Sequence, residues 1–453
     1  MSKQQSVPPG PAGHPWFGCL GEMRRNPMQF FTSVAMQYGG IARIRFGRNN
    51  YSYLVSDPEL IRELLITNRG KYRKNTRYKM LRRVLGEGLL LSEGEAWKRQ
   101  RKIVQPAFRQ QELLAQVERT STLVADFLNR FDVRAREGES FDIEPEFARL
   151  AQLLAGTWIM GEPFRKRADR IADLFQAATK VWPEPPRSVL AGYRIPSPAK
   201  MLTLRKAFSG FDRCIYEIIA EYRGNPGGQN GLIAMLVNGH REMTGSELAD
   251  DELRDQLVTL FIAAHETSAS SLCWTHYFLS MYPESRERVR QEVQTQLQGR
   301  LPTAEDLASL GYLEQVIKES LRIYSPIHSL SRVAIEDNSI GGYHIPRGAT
   351  VIVSLYATHR LPQYWDNPEA FVPERFSAEQ SARRPAFAYI PFAVGHRNCI
   401  GGTQAMLQSK LIVAQIAQRF NIDLQAGHPV EPMPGTTMRP RYGMRVTIRN
   451  VEA

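Results

Sequence analysis

The sequence predicts a mainly α fold with a smaller β-rich lobe, and three observations carry that prediction. Residues 250–282 form the longest helix-compatible run, which at 1.5 Å per residue would reach roughly 45–50 Å. The run is apolar almost all round at Leu257, Val258, Leu260, Phe261 and Ile262, the mark of a buried helix. Shorter runs with helical spacing recur at 30–38, 111–130, 147–160, 167–181 and after residue 401, where Leu411, Ile412, Ile416 and Phe420 share a face. Strand signals are fewer and lie apart, within 40–60, 330–355 and 430–450.

The chain has 453 residues. That length alone fits about three domains, but no low-complexity linker or internal repeat divides it. An apolar content of 43% allows a sizeable core, and 58 Lys and Arg against 46 Asp and Glu give a net charge of +12. Such an excess suits nucleic acid, an anionic membrane or an acidic protein partner. No zinc-finger spacing is present, and the basic cluster between Lys71 and Arg83 is interleaved with apolar residues, so nucleic acid is the weaker choice. Cys19, Cys214, Cys273 and Cys399 lie too far apart to read as a disulfide framework and fit a reducing compartment. Residues 1–21 are polar and proline-rich, and no apolar stretch reaches about 18 residues, so neither a signal peptide nor a transmembrane anchor is expected.

Taken in order, Pro8, Pro9 and Pro11 make a stiff, non-helical start. After the 30–38 helix, 41–46 and 51–55 flank Gly47, Arg48, Asn49 and Asn50 as a β-hairpin. Asp57 before Pro58 starts a helix running to residue 65. Trp97 and Arg101 stand four apart on one helix face, and alone they read as a packing Trp beside a surface Arg. Lys98, Arg99, Lys102 and Arg109 surround them, either as a solvated face or as a dock for an acidic partner. Residues 182–198 are broken repeatedly by proline, as a mobile lid or a plain surface loop, and 225–230 form a second joint.

In the middle of the 250–282 helix, the run from Ala263 through Ala264, His265, Glu266 and Thr267 to Ser268 puts a carboxylate and hydroxyls in apolar surroundings. That is costly unless they have partners or a task. The plain alternative is that Thr267 bonds back to the Ala263 carbonyl, and His265 reads as a hydrogen-bonded structural residue. Glu319 and Arg322 form an i,i+3 pair on a helix ended by Pro326. An irregular stretch at 325–331 leads into strands, 433–436 is a tight turn, and 438–448 reads as strands around Gly443.

Cys399 sits on a glycine-rich loop that opens a helix, where free N–H groups and the positive helix end favour thiolate over thiol. No second Cys lies nearby, which excludes a four-cysteine zinc or iron–sulfur cage and leaves nucleophile or haem axial ligand. Phe392, Gly395, Arg397, Cys399 and Gly401 fill the five fixed places of Phe-x-x-Gly-x-Arg-x-Cys-x-Gly. The stretch resembles the cysteine loop of the cytochrome P-450 haem-thiolate monooxygenases. Family motifs stand in family order before it: Trp97 with Arg101, the acid–Thr pattern at Glu266 and Thr267, Glu319 with Arg322, and the run Pro373, Glu374, Arg375, Phe376.

The resemblance implies one catalytic domain over 1–453 with the cytochrome P-450 fold, a helical bundle around haem b (iron protoporphyrin IX) with a long central helix. Cys399 is then the metal ligand, Trp97, Arg101, Arg332 and Arg397 reach the haem propionates, and Phe392, Gly401 and Ala263 lie against the haem. Glu266 and Thr267 deliver protons on the oxygen side, where the family's helix ladder opens. Glu319, Arg322 and Arg375 form a structural triad that holds the cysteine loop. Phe261, Ala264, Ile327, His328, Ser329 and Thr436 face the substrate space. Ala264 stands where Gly is usual, which narrows that space. Gln404 and Gln408 replace a common Phe and Glu, so the partner-facing surface differs from that of common members.

The implied reaction inserts one oxygen atom from O2 into an apolar organic substrate, fatty-acid, terpenoid or polyketide-like, by hydroxylation or epoxidation. The style of the motifs resembles the fatty-acid-oxidising branch more than the terpene-specialised bacterial members. No flavin or nicotinamide domain fits in this length, so electrons come from a ferredoxin or flavodoxin with its NAD(P)H reductase. The lack of an anchor resembles the soluble bacterial members, cytoplasmic and monomeric. Two other functions share a cysteine loop of this kind: a peroxygenase or rearranging haem-thiolate enzyme, and a non-catalytic haem-binding protein. The intact Glu266–Thr267 pair argues against both.

Overall fold

The computed structural model describes residues 6–48, 50–74, 82, 85–181, 197–225 and 231–451. Residues 182–196 of the expected lid or surface loop, 226–230 of the second joint and most of the basic cluster at 71–83 fall outside the described residues.

Helix Asp250–Met281 runs unbroken for 32 residues. Asp250, Asp251 and Glu252 in its first turn complement the positive end of the helix dipole. Pro283 opens the next helix, Pro283–Leu297, at a position where no intrahelical N–H is lost. Helices Glu144–Met160, Pro198–Gly224, Gly311–Ile323 and Gly402–Arg419 all pack on the long helix. One apolar cluster joins its Trp274 and Phe278 to Leu313, Ile317, Leu411 and Ile412. A second joins its Leu257, Val258 and Phe261 to Phe164, Phe211 and Ile215. The all-round apolar middle of the sequence is thus used on two sides.

The smaller β-rich part centres on a five-stranded sheet. Ile41–Arg45 is one edge, followed by Tyr51–Val55, Thr350–Ser354, Ser329–Ala334 and Tyr72–Lys74. The expected hairpin pairs Ile41 with Val55 and Arg45 with Tyr51. Tyr51–Val55 then runs parallel to Thr350–Ser354, a pairing between distant parts of the chain. Arg445–Asn450 lies between Phe141–Asp142 and Phe420–Leu424, and Pro432–Pro434 pairs with Met438–Pro440.

Two local expectations change. The single helix at 111–130 is two, Gln110–Leu114 and Val117–Glu137. The helix from Pro58 ends at Arg62 and continues as a wider turn, Glu63–Thr67, closed by the Asn68 N–H on the Glu63 carbonyl. The strands expected either side of Gly443 are present, Met438–Pro440 and Arg445–Asn450, in different sheets. Gly443 has φ +69°, and a Cβ there would lie 2.3 Å from an Asp142 carboxylate oxygen, so only glycine lets the chain cross at that point.

Candidate active site

The Cys399 loop folds back on itself: the Cys399 N–H donates to the Phe392 carbonyl at 2.8 Å and the Asn398 N–H to the Gly395 carbonyl at 3.0 Å. Gly395 has φ +78°, and a Cβ there would stand 2.3 Å from the Leu65 carbonyl oxygen, so the loop can seat against the 63–67 turn only with glycine. Gly401 has no such demand, because its Cβ would meet the Phe108 ring at 3.5 Å. It precedes helix Gly402–Arg419, and its N–H donates to the Cys399 sulfur. The Phe392 ring lies beside Gly402, where a Cβ would come within 3.3 Å of it.

Cys399 keeps surface accessible to a water-sized probe although protein surrounds it on most sides. Burial pushes its thiol up from the ordinary value, and the Gly401 N–H and the Arg101 charge offset this only in part. The setting of free N–H groups and a positive helix end, expected to favour thiolate, is therefore outweighed by desolvation. Coordination to a metal would deprotonate the sulfur outright.

Around the loop is a set of cations. Arg397 lies 4.0 Å over the Trp97 ring and donates to the Ser92 carbonyl at 2.8 Å and to Glu93 at 2.9 Å. Trp97 also meets His396 edge-on, at 5.3 Å between ring centroids. Arg101 donates to both the carbonyl and the side chain of Asn398, at 3.2 and 3.1 Å. Arg332, on strand Ser329–Ala334, pairs in register with Lys74. The Lys74 ammonium is pushed down to about 7, first by burial and then by the Arg397 and Arg332 charges. Arg397 Nη1 and His396 Nδ1 are buried without a hydrogen-bond partner among the described residues. Several cations facing Glu93, with buried donors left over, form a donor set that fits an acidic cofactor carrying two carboxylates. A lone exposed thiol flanked by N–H donors fits its metal. Lys74, Glu93 and Asn398 were missed by the sequence reading. Their spacing to Arg397 carries no signal, because sheet pairing and the loop fold bring them together.

Glu319 and Arg322 are fully buried and joined by two bonds, Arg322 Nε to Oε2 at 2.7 Å and Nη2 to Oε1 at 2.8 Å. Arg375 Nε stands 3.3 Å from Glu319 Oε1, which also accepts the Val372 N–H at 2.9 Å. Arg322 donates onward to the carbonyls of His359, Pro368 and Ala370. These bonds satisfy the buried pair at every side, as a low-dielectric ion pair requires.

On the long helix, Ala263 is exposed and Ala264 and Thr267 are half-buried, although the helix middle is otherwise core. That face borders open space. The Thr267 hydroxyl donates to the Ala263 carbonyl at 2.8 Å, and the helix stays closed there, so the opened ladder expected from the family pattern is absent. Glu266 is half-buried; burial raises its carboxyl, with Arg439 pulling it back and Glu144 raising it further. Phe261 does not face the substrate space. It is completely buried, its ring packed on Phe164, Phe175, Phe211 and His265, because position 261 falls on the core side of the helix. His265 is likewise a core residue, bonded to the Phe261 carbonyl at 2.9 Å. Ile327, His328 and Ser329 are half-buried, and Thr436 is exposed in the turn between Pro432–Pro434 and Met438–Pro440. The His328 ring bonds to the Gly435 carbonyl, which joins the 325–331 segment to that turn.

A family model described as cytochrome P450 matches residues 8–448. Cyclooctat-9-en-7-ol 5-monooxygenase of Streptomyces melanosporofaciens is 31% identical over 441 residues, covering 94% of this chain and 90% of its own. Pentalenene oxygenase of Streptomyces avermitilis is 28% identical over 440 residues, covering 96% and 95%. The solved structure of retinoic acid-bound cyanobacterial CYP120A1 matches with a TM-score of 0.83 at 27% identity, over 99% of this chain and 100% of that one. The helical architecture around the long central helix, the cysteine loop and the whole-length match agree, and this chain belongs to the cytochrome P450 family of haem monooxygenases.

Proposed function

We propose that the chain is a single catalytic domain that holds haem b and oxidises an apolar, terpenoid-like substrate, with electrons from a separate ferredoxin or flavodoxin and its NAD(P)H reductase. One observation carries the reading. Ile400, next to Cys399, and Ala264, beside the exposed Ala263, pack against the same apolar cluster, so the thiol loop and the Ala263–Thr267 stretch are anchored on one core.

Haem held by Cys399 would supply reductive activation of dioxygen. The chain's own residues do the rest. The Gly401 N–H and Arg101 temper the sulfur. Arg101, Arg332 and Arg397, with Lys74 paired in register with Arg332, would hold the propionates, and Trp97 keeps the Arg397 plane in position. Thr267 spends its proton on the Ala263 carbonyl, which leaves its oxygen to accept a hydrogen bond from the open side. Glu266, raised by burial, is the proton source next to it. Glu319, Arg322 and Arg375 hold the segment that leads into the cysteine loop. No Cys-x-x-Cys-His is present for covalent attachment of haem, which supports haem b.

The names of the two Streptomyces relatives point to cyclic terpenoids and weigh against the fatty-acid preference of the motif reading. Ala264, Ile327, His328, Ser329 and Thr436 are the proposed substrate contacts. The exposed cations Lys98, Arg99, Lys102 and Arg109 support an acidic electron donor. Among the described residues no helix is long and apolar enough to cross a membrane. A monomer in the cytoplasm is the proposed setting.

The test reconstitutes the haem-loaded protein with a surrogate ferredoxin, its reductase and NAD(P)H. Cyclic terpenoids and fatty acids are screened by haem spectral shift and then by product. Terpenoid oxidation with dioxygen, and none with peroxide alone, is expected. Product from peroxide alone would establish the peroxygenase instead, fatty-acid products alone would overturn the substrate class, and ligand shifts without any turnover would leave a carrier.

A further inference from the structure

Three stretches of chain that carry cations meet at Glu93. The residue stands in extended backbone just before helix Gly94–Val104. Gly94 has φ +59°, a left-handed turn that a side chain would strain, and it swings the chain from Glu93 directly into the helix. The Glu93 carbonyl accepts the Trp97 N–H at 3.4 Å, so its backbone opens the helix that carries Trp97 and Arg101. The side chain reaches the other two stretches. Oε2 pairs with Arg397 Nη2 in the cysteine loop at 2.9 Å, and Oε1 accepts the Lys74 N–H on strand Tyr72–Lys74 at 3.2 Å.

Arg397 lies outside any helix or strand, so regular backbone does not fix where its side chain points. Three contacts do. Nη2 donates to the Ser92 carbonyl at 2.8 Å and to Glu93, and the guanidinium rests 4.0 Å over the Trp97 ring. Trp97 is bonded through its N–H to Glu93, so Glu93, Trp97 and Arg397 close a triangle. Both Nη2 hydrogens are thereby spent. Nη1 is buried without a partner among the described residues, on a side chain that is only 5% exposed. A donor held buried and unpaired costs free energy until an acceptor arrives. The charges acting on Lys74, His396 and Arg397 are those of Arg69, Arg101, Arg332, Arg397 and Glu93, so a single carboxylate faces several cations. Like charges this close repel, and Glu93 is what offsets that repulsion.

Resting on the reading of these cations as the propionate site, we propose that Glu93 is a positioning residue for haem: it grips one edge of Arg397 so that the other edge, Nη1, is left for a propionate. The Lys74 N–H moors the carboxylate that does the gripping, and Trp97 keeps the guanidinium flat. The ordering is complete before haem binds, which lowers the cost of binding. Glu93 acts only through Arg397, because its two oxygens are already taken. The Phe-x-x-Gly-x-Arg-x-Cys-x-Gly pattern supplies Arg397 but not its direction; Glu93 supplies the direction.

The experiment follows haem transfer from the ferric protein to an apoglobin acceptor, which needs no substrate and no turnover. Glu93→Ala is expected to speed release about 10-fold, the usual scale for losing a group that orients a ligand residue. Arg397→Leu should speed it at least as much. The double variant should release haem no faster than Arg397→Leu alone, since a residue that works through Arg397 has nothing left to orient. Resonance Raman bands of propionate bending should move in Glu93→Ala as they do in Arg397→Leu. Glu93→Gln, which keeps an acceptor and removes only the charge, should recover part of both the band position and the retention. Glu93→Leu, closer in volume, runs the same cycle if the alanine variant does not fold. Additive losses in the double variant, or propionate bands unmoved in Glu93→Ala, would make Glu93 a residue that only stabilises the fold and overturn the proposal. Fast release from Arg397→Leu beside wild-type release from Glu93→Ala removes this inference alone. Wild-type release from Arg397→Leu takes the propionate reading down with it.

Discussion

His359 Nε2 accepts the Ile390 N–H at 2.9 Å, while its Nδ1 faces the Arg322 carbonyl at 3.2 Å. Burial, with the Arg322 charge behind it, pushes the imidazole down to about 3, so the ring is neutral with its proton on Nδ1. One imidazole thus ties the Glu319–Arg322 pair to the segment whose Phe392 carbonyl holds the Cys399 N–H. His359→Leu leaves a buried N–H and a buried carbonyl short of a partner, at about 1–3 kcal/mol each. Expected are lower stability in urea and, in the reduced carbonyl complex, a rising share of the form that lacks thiolate ligation. A stable variant with a wholly thiolate-type spectrum would show that the loop is held by other means.

The Arg397 guanidinium rests on Trp97 rather than on water. A cation over an indole contributes about 0.5–2 kcal/mol, most when desolvated. Trp97→Ala is expected to weaken haem retention by a comparable amount, read as faster transfer of haem to an apoglobin acceptor, with secondary structure unchanged. Trp97→Phe keeps a π face and should recover part of the loss. Equal haem release from all three proteins would confine Trp97 to packing.

Glu319 and Arg322 are both fully buried, so removing one partner strands a charge. Glu319→Gln or Arg322→Met is expected to cost about 3–5 kcal/mol, measured by denaturant unfolding of the holoprotein. Arg375→Met should cost less, because Arg375 adds one contact at 3.3 Å to a carboxylate that Arg322 already grips twice.

The long helix was legible to within a residue because a continuous apolar run leaves no other placement, and the hairpin because Gly47 and its neighbours separate two alternating segments. The cysteine loop was legible because its geometry demands particular residues, above all Gly395 against Leu65. Partners created by tertiary contact were not. Glu93 meets Arg397, and Arg439 meets Glu144, through the fold and not through any local spacing. Phe261 was misplaced because a helix apolar on all sides does not announce which apolar residues face a cavity and which face the core.

His265 and His276 are buried, bonded to the Phe261 and Leu272 carbonyls, and pushed by burial from 6.5 down to about 4. The unfolded chain binds these protons below about pH 6.5, while the folded chain stays neutral until about pH 4. Stability is therefore complete above that window and falls as pH drops through it, by up to about 1.4 kcal/mol per pH unit for each histidine. Among the described residues His276 Nε2 has no hydrogen-bond partner, and the ring lies tilted against Phe147 at 4.9 Å between centroids, so His276→Phe fits the site. Urea unfolding near neutral pH and near pH 5 is expected to show a shallower acid loss in that variant, by one proton's worth. An unchanged slope would mean that His276 is charged in the fold.

Thr267 separates a structural from a chemical role because its bond is local. The hydroxyl donates to the Ala263 carbonyl at 2.8 Å, and in an unbroken helix that carbonyl also lies in reach of the Thr267 N–H. Thr267→Ala therefore leaves the carbonyl paired and exchanges a β-branched residue for the best helix former, so stability should change by less than about 1 kcal/mol. If Thr267 only satisfies its own helix, nothing else changes. If it presents an oxygen to the space beside Ala263 and passes on the proton held by Glu266, the variant consumes NAD(P)H at an ordinary rate while product falls and peroxide rises. Thr267→Ser, which keeps the hydroxyl and loses only the methyl, should restore most of the coupling. Matching stability with wild-type coupling in Thr267→Ala would move proton delivery to another group, and Glu266→Gln then decides whether the acid still takes part.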